Sequence, residues 1–313
     1  MRIGLFLDPP YGLLAYAAVI EVLYQVKNRS ADLQLSWETI GLTDEPIVSS
    51  SGHKTIPDCS IDSDQTYDLI MIFGVSSGKP EKALINWLKA QARKGTTLGG
   101  IISGTWVLAW AGLLTDYRCT VHWQDLEAFR ETFPKINVCT NLYVIDNKRI
   151  SCSGGHAAAD MMLYYLSDSV SSKSLMEVAE ALIHEHIRSP DNQQRISLRA
   201  RLGTSNARVI ALAQYLETSD YTDASIKGFC DAHGVSVRWM EKLFKKHIGK
   251  GPKAYQMEHR QFRARELLNN TDLAIGEIAA ILEYASSAYF STDFKKHNEC
   301  TPSVFRNRGV NRA

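Results

Sequence analysis

Two groups of side chains in this chain of 313 residues are of types that do chemistry. The first is basic and occurs twice. Phe244-Lys245-Lys246-His247 recurs fifty positions later as Phe294-Lys295-Lys296-His297, and the same shift carries Ser236 onto Ser286, Trp239 onto Tyr289, Pro252 onto Pro302 and Tyr255 onto Phe305. Lys and Arg in such a framework neutralise phosphates and release counterions, the sequence-independent part of DNA affinity. The second group lies in the front half: Ser103, Cys119, Cys152, His122 and His156, the hydroxyl, thiol and imidazole groups of covalent catalysis. Their surroundings argue against that use. Gly100-Ile101-Ile102-Ser103-Gly104 is not G-x-S-x-G. No cation pattern lowers the pKa of either cysteine, so both read as small core residues. The two histidines are expected as structural or ligand-contacting groups. Glu21 is either a solvated carboxylate or a pocket group.

The basic repeat needs helices to carry it. In the first copy, Ile226 to Ala232 makes a short helix with Ile226, Phe229 and Cys230 on one face. His233-Gly234 breaks it, and Ser236 caps the next helix. Trp239, Met240, Leu243 and Phe244 form an apolar stripe there. The outer face holds Val237, Arg238, Glu241, Lys242, Lys245 and Lys246, which suits the recognition helix of a helix-turn-helix. The second copy starts at Ile275, Ile278, Ala279 and Leu282. Ser286 caps its second helix, with Ser287, Lys295 and Lys296 outside and Tyr289, Phe290 and Phe294 as its stripe. Tyr255 to Leu268 joins the copies as a spacer, packing through Phe262, Leu267 and Leu268 with Arg260, Arg263 and Arg265 outside. Two units so joined reach successive major-groove turns, roughly 34 Å apart.

Residues 206–308 resemble the DNA-binding domain of the AraC/XylS family of transcription regulators. The family pattern runs through Gly234-Val235-Ser236, Leu243-Phe244, Gly249, Pro252, Tyr255, Arg263-Ala264, Leu267-Leu268, Ile278-Ala279, Tyr289-Phe290-Ser291, Phe294-Lys295, Pro302 and Phe305-Arg306. Two positions depart from it. Glu283 stands where the family has the turn Gly of the second unit, and Glu299 where Gly precedes the closing Pro segment. These departures imply a second unit that reads DNA less tightly than the first, or touches phosphate alone.

Net charge is only +1, but it is unevenly spread. Up to residue 183 there are 15 Lys+Arg against 20 Asp+Glu; beyond it, 20 against 14. The positive charge therefore sits with the repeat. Six cysteines are scattered without a CxxC pair, which argues against zinc and redox motifs and for reduced thiols in the cytoplasm. No apolar run approaches the ~20 residues of a membrane span. The front half alternates apolar strands (2–7, 33–40, 69–73, 98–102) with helices (16–26, 81–93, 106–114, 157–166), and later strands fall at Val138, 142–145 and 150–151. That order predicts an α/β fold with a largely parallel sheet. Ligand sites in such sheets lie at the C-terminal strand ends, here the loops 8–14, 74–78 and 102–104.

The third of these loops resembles the nucleophile elbow of the PfpI-like, class I glutamine amidotransferase-like superfamily. The likeness spans about 1–168. It rests on Gly99 to Leu114, Thr120-Val121-His122-Trp123, and Ser153-Gly154-Gly155 leading into Asp160-Met161-Met162. It implies a flavodoxin-like α/β domain. Alignment puts Ile102 where the enzymes carry Cys, so the resemblance implies a domain without a nucleophile, with Ser103 one residue on and free to cap the helix. This domain ahead of an AraC-type domain is the arrangement of GlxA-type regulators. The expected organisation is 1–168 for effector binding and dimerisation, 169–205 for a helix over 175–187 and a linker over 188–206, and 206–308 for DNA binding.

The resulting expectation is a cytoplasmic, homodimeric activator-type regulator that binds operator DNA, contacts RNA polymerase, and needs no cofactor or metal. Its small-molecule effector, an amino acid or related nitrogen compound by resemblance, would be lined by Asp8, Tyr11, Gly74, Val75, Ser76, Ile102, Ser103, Gly104, His122, Gly154, Gly155 and His156. Tyr11 and Trp106 are candidates for aromatic walls. The rival expectation is an amidohydrolase-like enzyme with an accessory DNA-binding domain.

Overall fold

The structure, a computed structural model, describes residues 1–30, 33–63, 65–195, 197–218 and 225–310, with the side chains of 270 and 308–310 excepted. Residue 196 of the expected linker and 219–224 of the expected DNA-binding domain lie outside the described residues. The chain divides into two compact units between Gln194 and Arg195.

The first unit runs β1 (Arg2–Leu7), α1 (Leu13–Arg29), β2 (Ser36–Gly41), β3 (Ile47–Val48), β4 (Lys54–Thr55), β5 (Cys59–Ser60), β6 (Leu69–Gly74), α2 (Lys82–Arg93), β7 (Thr97–Ile102), α3 (Gly104–Trp110), β8 (Arg118–Thr120), α4 (Leu126–Thr132), β9 (Asn137–Cys139), β10 (Tyr143–Asp146), β11 (Arg149–Cys152), α5 (Ala157–Leu166) and α6 (Ser172–Ala181). Seven strands form one sheet in the order β10-β11-β7-β6-β1-β2-β5, parallel throughout except for β10 on β11. Its central strands are apolar beyond their first residues, Arg2 in β1 and Thr97 in β7, because both faces are covered. Ile3, Leu5 and Leu7 of β1 and Leu69, Met71 and Phe73 of β6 enter the core shared with α1, α5 and α6. Phe6, Ile70 and Ile72, one residue out of phase, enter the core shared with α2, α3 and α4. The chain leaves β1 toward β2 on one side and β6 toward β7 on the other. The sheet's switch point therefore lies between β1 and β6, and sheets of this kind bind ligands beyond the C-terminal strand ends at that point.

The expected helix over 175–187 ends at Ala181 instead. Ile183 takes a left-handed φ of 52°, and the His184 N–H closes the turn on the Ala179 carbonyl at 2.8 Å, which satisfies an orphan carbonyl of the last helical turn. Ile183, expected on the helix's apolar stripe, is 92% exposed as a result. The beginning of the expected linker is also bound down. The fully buried Asp160 carboxylate accepts from the Arg188 guanidinium (2.8 and 2.6 Å) and backbone N–H (2.8 Å), and pairs with His184 Nε2 at 2.8 Å. The Tyr143 hydroxyl donates to the Arg188 carbonyl at 2.9 Å, and the Leu142 N–H to the Pro190 carbonyl at 3.0 Å. A buried carboxylate must find such donors or remain unpaired at large cost, and it finds them in this strap.

The second unit is helical: α7 (Leu198–Leu202), α8 (Ala207–Thr218), α9 (Ile226–Ala232), α10 (Val237–Ile248), α11 (Pro252–Asn270), α12 (Ile275–Ile281), α13 (Ser287–Asn298) and α14 (Pro302–Val310). It has two cores. Val209, Leu212, Leu216, Phe229, Met240 and Phe244 build the first; Leu267, Leu268, Ile278, Leu282, Phe290 and Phe294 build the second. The 19 residues of α11 span about 28 Å and join both, with Tyr255 against the first core and Ala264, Leu267 and Leu268 in the second. Polar contacts fix α11 on α13. Gln261, 2% exposed, donates to Tyr284 Oη (3.0 Å) and Asp293 Oδ2 (2.8 Å), and accepts from Asn298 Nδ2 (2.9 Å).

The helix ends explain the two departures from the family pattern. Gly234 (φ 64°) and Gly249 (φ 80°) are left-handed in the first copy, and Glu283 (φ 57°) and Glu299 (φ 60°) hold the same conformation in the second. The turns are kept, at a cost in local strain of about 1–2 kcal/mol each. Glu299→Gly is accordingly expected to raise stability by up to about 1 kcal/mol, after the extra unfolded-state freedom of Gly is subtracted. Gly249→Glu, at a site with open space for the side chain, is expected to lower it by a similar amount. Urea midpoints of the full chain read both changes, and equal midpoints for the three proteins would contradict the strain argument.

Candidate functional site

The DNA-facing candidates lie on α10 and α13. Ser236 Oγ accepts from the Trp239 N–H at 3.2 Å, and Ser286 Oγ from the Tyr289 N–H at 3.1 Å, so each helix begins on a serine cap. Arg238, Glu241, Lys242, Lys245 and Lys246 are exposed and Val237 is half-buried; Ser287, Lys295 and Lys296 are exposed on α13. The apolar stripes are narrower than expected. Met240 and Phe244, and in the second copy Phe290 and Phe294, are fully buried. Trp239 is 41% exposed and Tyr289 57% exposed. The helical period accounts for the difference, since residue 239 stands about 100° around the axis from 240. The Arg208 guanidinium lies 5.4 Å from the Trp239 ring centre.

In the first unit, the strand register brings the expected loops to one level. Leu7 pairs with Phe73 and Gly74 with Ile102. The Val75 N–H reaches the Pro10 carbonyl (3.0 Å) and the Ser103 N–H the Gly74 carbonyl (3.1 Å). Ile102 sits at the sharp turn from β7 into α3 with a φ of 56°, a genuine outlier for a β-branched residue. The turn depends on Gly104, where an added Cβ would lie 2.0 Å from the Ile72 carbonyl oxygen. The Ile102 side chain packs on bare backbone: a Cβ on Gly154 (φ 96°) would lie 2.1 Å from its Cγ1, and one on Gly12 2.8 Å from its Cδ1. The elbow thus presents hydrocarbon.

Asp8 follows β1 beside Gly74, its Oδ2 3.2 Å from where a Cβ would stand on that glycine. Burial, with the like charge of Glu81 adding to it, raises the Asp8 carboxyl to about 6. Burial lowers His122, whose Nδ1 accepts from the Gln124 N–H at 3.4 Å; a neutral ring accepting there carries its proton on Nε2. His156 is exposed at the start of α5 and makes no side-chain cap. Burial pushes Cys119 and Cys152 each up to about 12, which keeps them as thiols. Glu21 is exposed.

Three expected pocket groups belong to the packing instead. Tyr11 is fully buried, its hydroxyl 2.6 Å from Thr55 Oγ1 and its ring edge-on to Tyr16. Trp106 is 1% exposed, edge-on to Phe129 at 5.0 Å. Neither offers an aromatic wall. Ser103 is 1% exposed and makes no helix-capping hydrogen bond, because its own backbone is already helical (φ −76°, ψ −4°). Gln194 is a residue that sequence reasoning missed. Its Nε2 lies 2.9 Å from Thr120 Oγ1 and from the Val121 and Asn141 carbonyls, next to His122. One glutamine in the polar run Asp191-Asn192-Gln193-Gln194-Arg195 gives no sequence signal for this.

Residues 13–168 match the DJ-1/PfpI family, and 229–308 match a helix-turn-helix domain. The chain is 31% identical over 297 residues to the HTH-type transcriptional regulator GbdR of Pseudomonas aeruginosa, covering 94% of this chain and 81% of that one. It is 31% identical over 314 residues to the HTH-type transcriptional regulator GlxA of Rhizobium meliloti, covering 98% and 96%. A crystal structure of an AraC family transcriptional regulator from Pseudomonas putida shares the fold, with a TM-score of 0.53 at 22% identity over 58% of this chain and 98% of that one. No helix among the described residues is long and apolar enough to cross a membrane. With its DJ-1/PfpI unit ahead of an AraC-type helix-turn-helix unit, the chain belongs to the family of HTH-type transcriptional regulators that includes GbdR and GlxA.

Proposed function

We propose that this DNA-binding transcription regulator is cytoplasmic, acts as a homodimer, and responds to a small effector through a front unit that does no catalysis. The observation that carries the regulator reading is the pair of serine-capped helices, α10 and α13, each with exposed lysines, held by one shared helix. Arg238 and Lys242 project from the start of α10, where a recognition helix meets base edges. Arg238→Ala is expected to cost ~1–3 kcal/mol in operator binding and to relax specificity at one base pair. Lys245→Ala and Lys246→Ala should instead weaken binding to all sequences and lower the salt slope by about 1 each. Electrophoretic titrations of the full chain at several salt concentrations separate the two patterns. Equal losses on specific and random DNA for Arg238→Ala would remove it from the base contacts.

The amidohydrolase reading needs a nucleophile beside a positioned base. Ile102 supplies hydrocarbon at the elbow, Ser103 is buried, and burial holds both nearby cysteines as thiols. The full chain is expected to leave amide and ester substrates unturned. Turnover that Ser103→Ala or Cys152→Ala abolished would restore the enzyme.

The effector reading rests on the sheet's switch point between β1 and β6, where such sheets bind ligands. Asp8 follows β1 there, its carboxyl raised to about 6 by burial and by the like charge of Glu81. A cationic nitrogen, as in an amino acid or quaternary amine, would relieve that penalty, which supports the class that the family resemblance suggests. Gln194 offers the route outward, since it donates to Thr120 Oγ1 and the Val121 carbonyl and precedes the first residue of the second unit. Asp8→Asn should abolish effector binding measured by calorimetry against a panel of such cations. Gln194→Leu should leave effector affinity intact while the effector no longer changes operator affinity. Normal binding by Asp8→Asn would move the site, and normal coupling in Gln194→Leu would move the route.

A further inference from the structure

The two exposed aromatic side chains on the recognition helices have no use in the functional reading so far. Trp239 and Tyr289 occupy equivalent places, each the third residue after a capping serine and each directly before a fully buried residue, Met240 or Phe290. An exposed indole forgoes the stability that burial would give it, and here the same position is left out of the core in both copies. Each begins one edge of its helix. Trp239 lies in line with Lys242 and Lys246, and Tyr289 with Thr292 and Lys296, at i, i+3 and i+7; all four of those partners are exposed. The surroundings are cationic, with the Arg208 guanidinium 5.4 Å from the Trp239 ring centre. The complementary partner is therefore an anion with an apolar feature inside reach of a helix. In the major groove of B-DNA, the apolar group among the base edges is the thymine C5-methyl.

We propose that Trp239 and Tyr289 are specificity residues that read thymine methyl groups, one in each of two major-groove segments. This rests on the DNA-binding reading above and adds a contact that lysines and arginines cannot make. It assigns the second helix-turn-helix a base contact, although Ser287, Lys295 and Lys296 could all be spent on phosphate. It also explains why aromatic side chains sit outside the two cores at matched positions.

The test uses the full chain and a duplex selected by the wild-type protein from a random library. Each thymine is replaced singly by deoxyuridine, which removes only the methyl group. Wild-type affinity is expected to fall about four-fold at one or more thymines in each of two segments about one helical turn apart, the size expected for one buried methyl. Trp239→Ala should lose affinity, become insensitive to deoxyuridine in one segment only, and keep the wild-type salt slope, because no phosphate contact is removed. Tyr289→Ala should do the same in the other segment. Trp239→Leu, which keeps an apolar side chain, should restore part of the loss; this and unchanged affinity for random DNA exclude simple misfolding. A salt slope reduced by about 1 in the Ala variants would make these residues phosphate contacts and overturn the proposal. So would deoxyuridine sensitivity that survives both substitutions. Unchanged DNA binding with lost transcription would make them protein contacts and overturn it as well. A wild-type chain that selects no duplex overturns the DNA-binding reading itself, whereas one that binds its duplex without sensitivity to any thymine methyl overturns this proposal alone.

Discussion

Left-handed backbone at a few residues sets both working surfaces of this protein. In the first unit, Ile102 turns β7 sharply into α3 and Gly154 lets the next loop lie against it. In the second, Gly234 and Glu283 turn the chain into the two recognition helices, and Gly249 and Glu299 turn it out again. For residues other than Gly this conformation costs about 1–2 kcal/mol, and it persists where the surroundings determine it. At Ile102 the surroundings are the closely packed Gly104 and the Ile72 carbonyl. At Glu283 and Glu299 they are cores built on Leu282, Phe290 and Phe294. The same conformation is thus held by residues other than glycine in both units.

That persistence separates scaffold from chemistry. A strained elbow serves an enzyme by presenting a reactive atom. Here the same turn presents an isoleucine packed between two glycines, beside the switch point of the sheet. A binding site needs shape and a few oriented polar groups, and Asp8 and His122, both shifted by burial, are groups of that kind. An acidic front portion and a basic rear portion fit the same division, with DNA attracted to one and kept from the other.

Much of this was legible in the residues. The fifty-residue repeat identified α10 and α13, their caps and their lysines, because caps and periodicity are local. The alternation of apolar strands with helices gave the parallel sheet, and the resemblance placed Ile102 at the elbow. What failed depended on tertiary packing. Trp239 and Tyr289 read as core because an aromatic beside an apolar residue does not reveal its angle around the helix. Tyr11 and Trp106 read as pocket walls because loop position says nothing of which way a ring turns. The strap over 184–194 read as the end of a helix and the start of a linker because its partners, Asp160, Tyr143, Leu142 and Thr120, are distant in sequence.

The strap also constrains how binding in the first unit can be felt beyond it. Asp160 and its partners fix His184 and Arg188 strongly, since breaking a buried charged pair is expensive. Gln194 is held differently. Its Nε2 has three oxygen acceptors within 2.9 Å, but its Oε1 is buried without a hydrogen-bond partner. A buried unpaired carbonyl costs about 1–3 kcal/mol, so an arrangement that pairs it lies close in free energy to this one. Coupling between an effector and DNA is typically of the same size, about 1–3 kcal/mol. Thr120 is tied to the sheet by its N–H to Ser151 Oγ at 2.9 Å, two residues from His122 and one residue before Cys152 on the way to Gly154. His122 and the Gly154 loop thus adjoin residues to which the strap is bonded, Val121 at Gln194 and Leu142 at Pro190. The strap is clamped by a buried charge at Arg188 and held by neutral hydrogen bonds alone at Gln194.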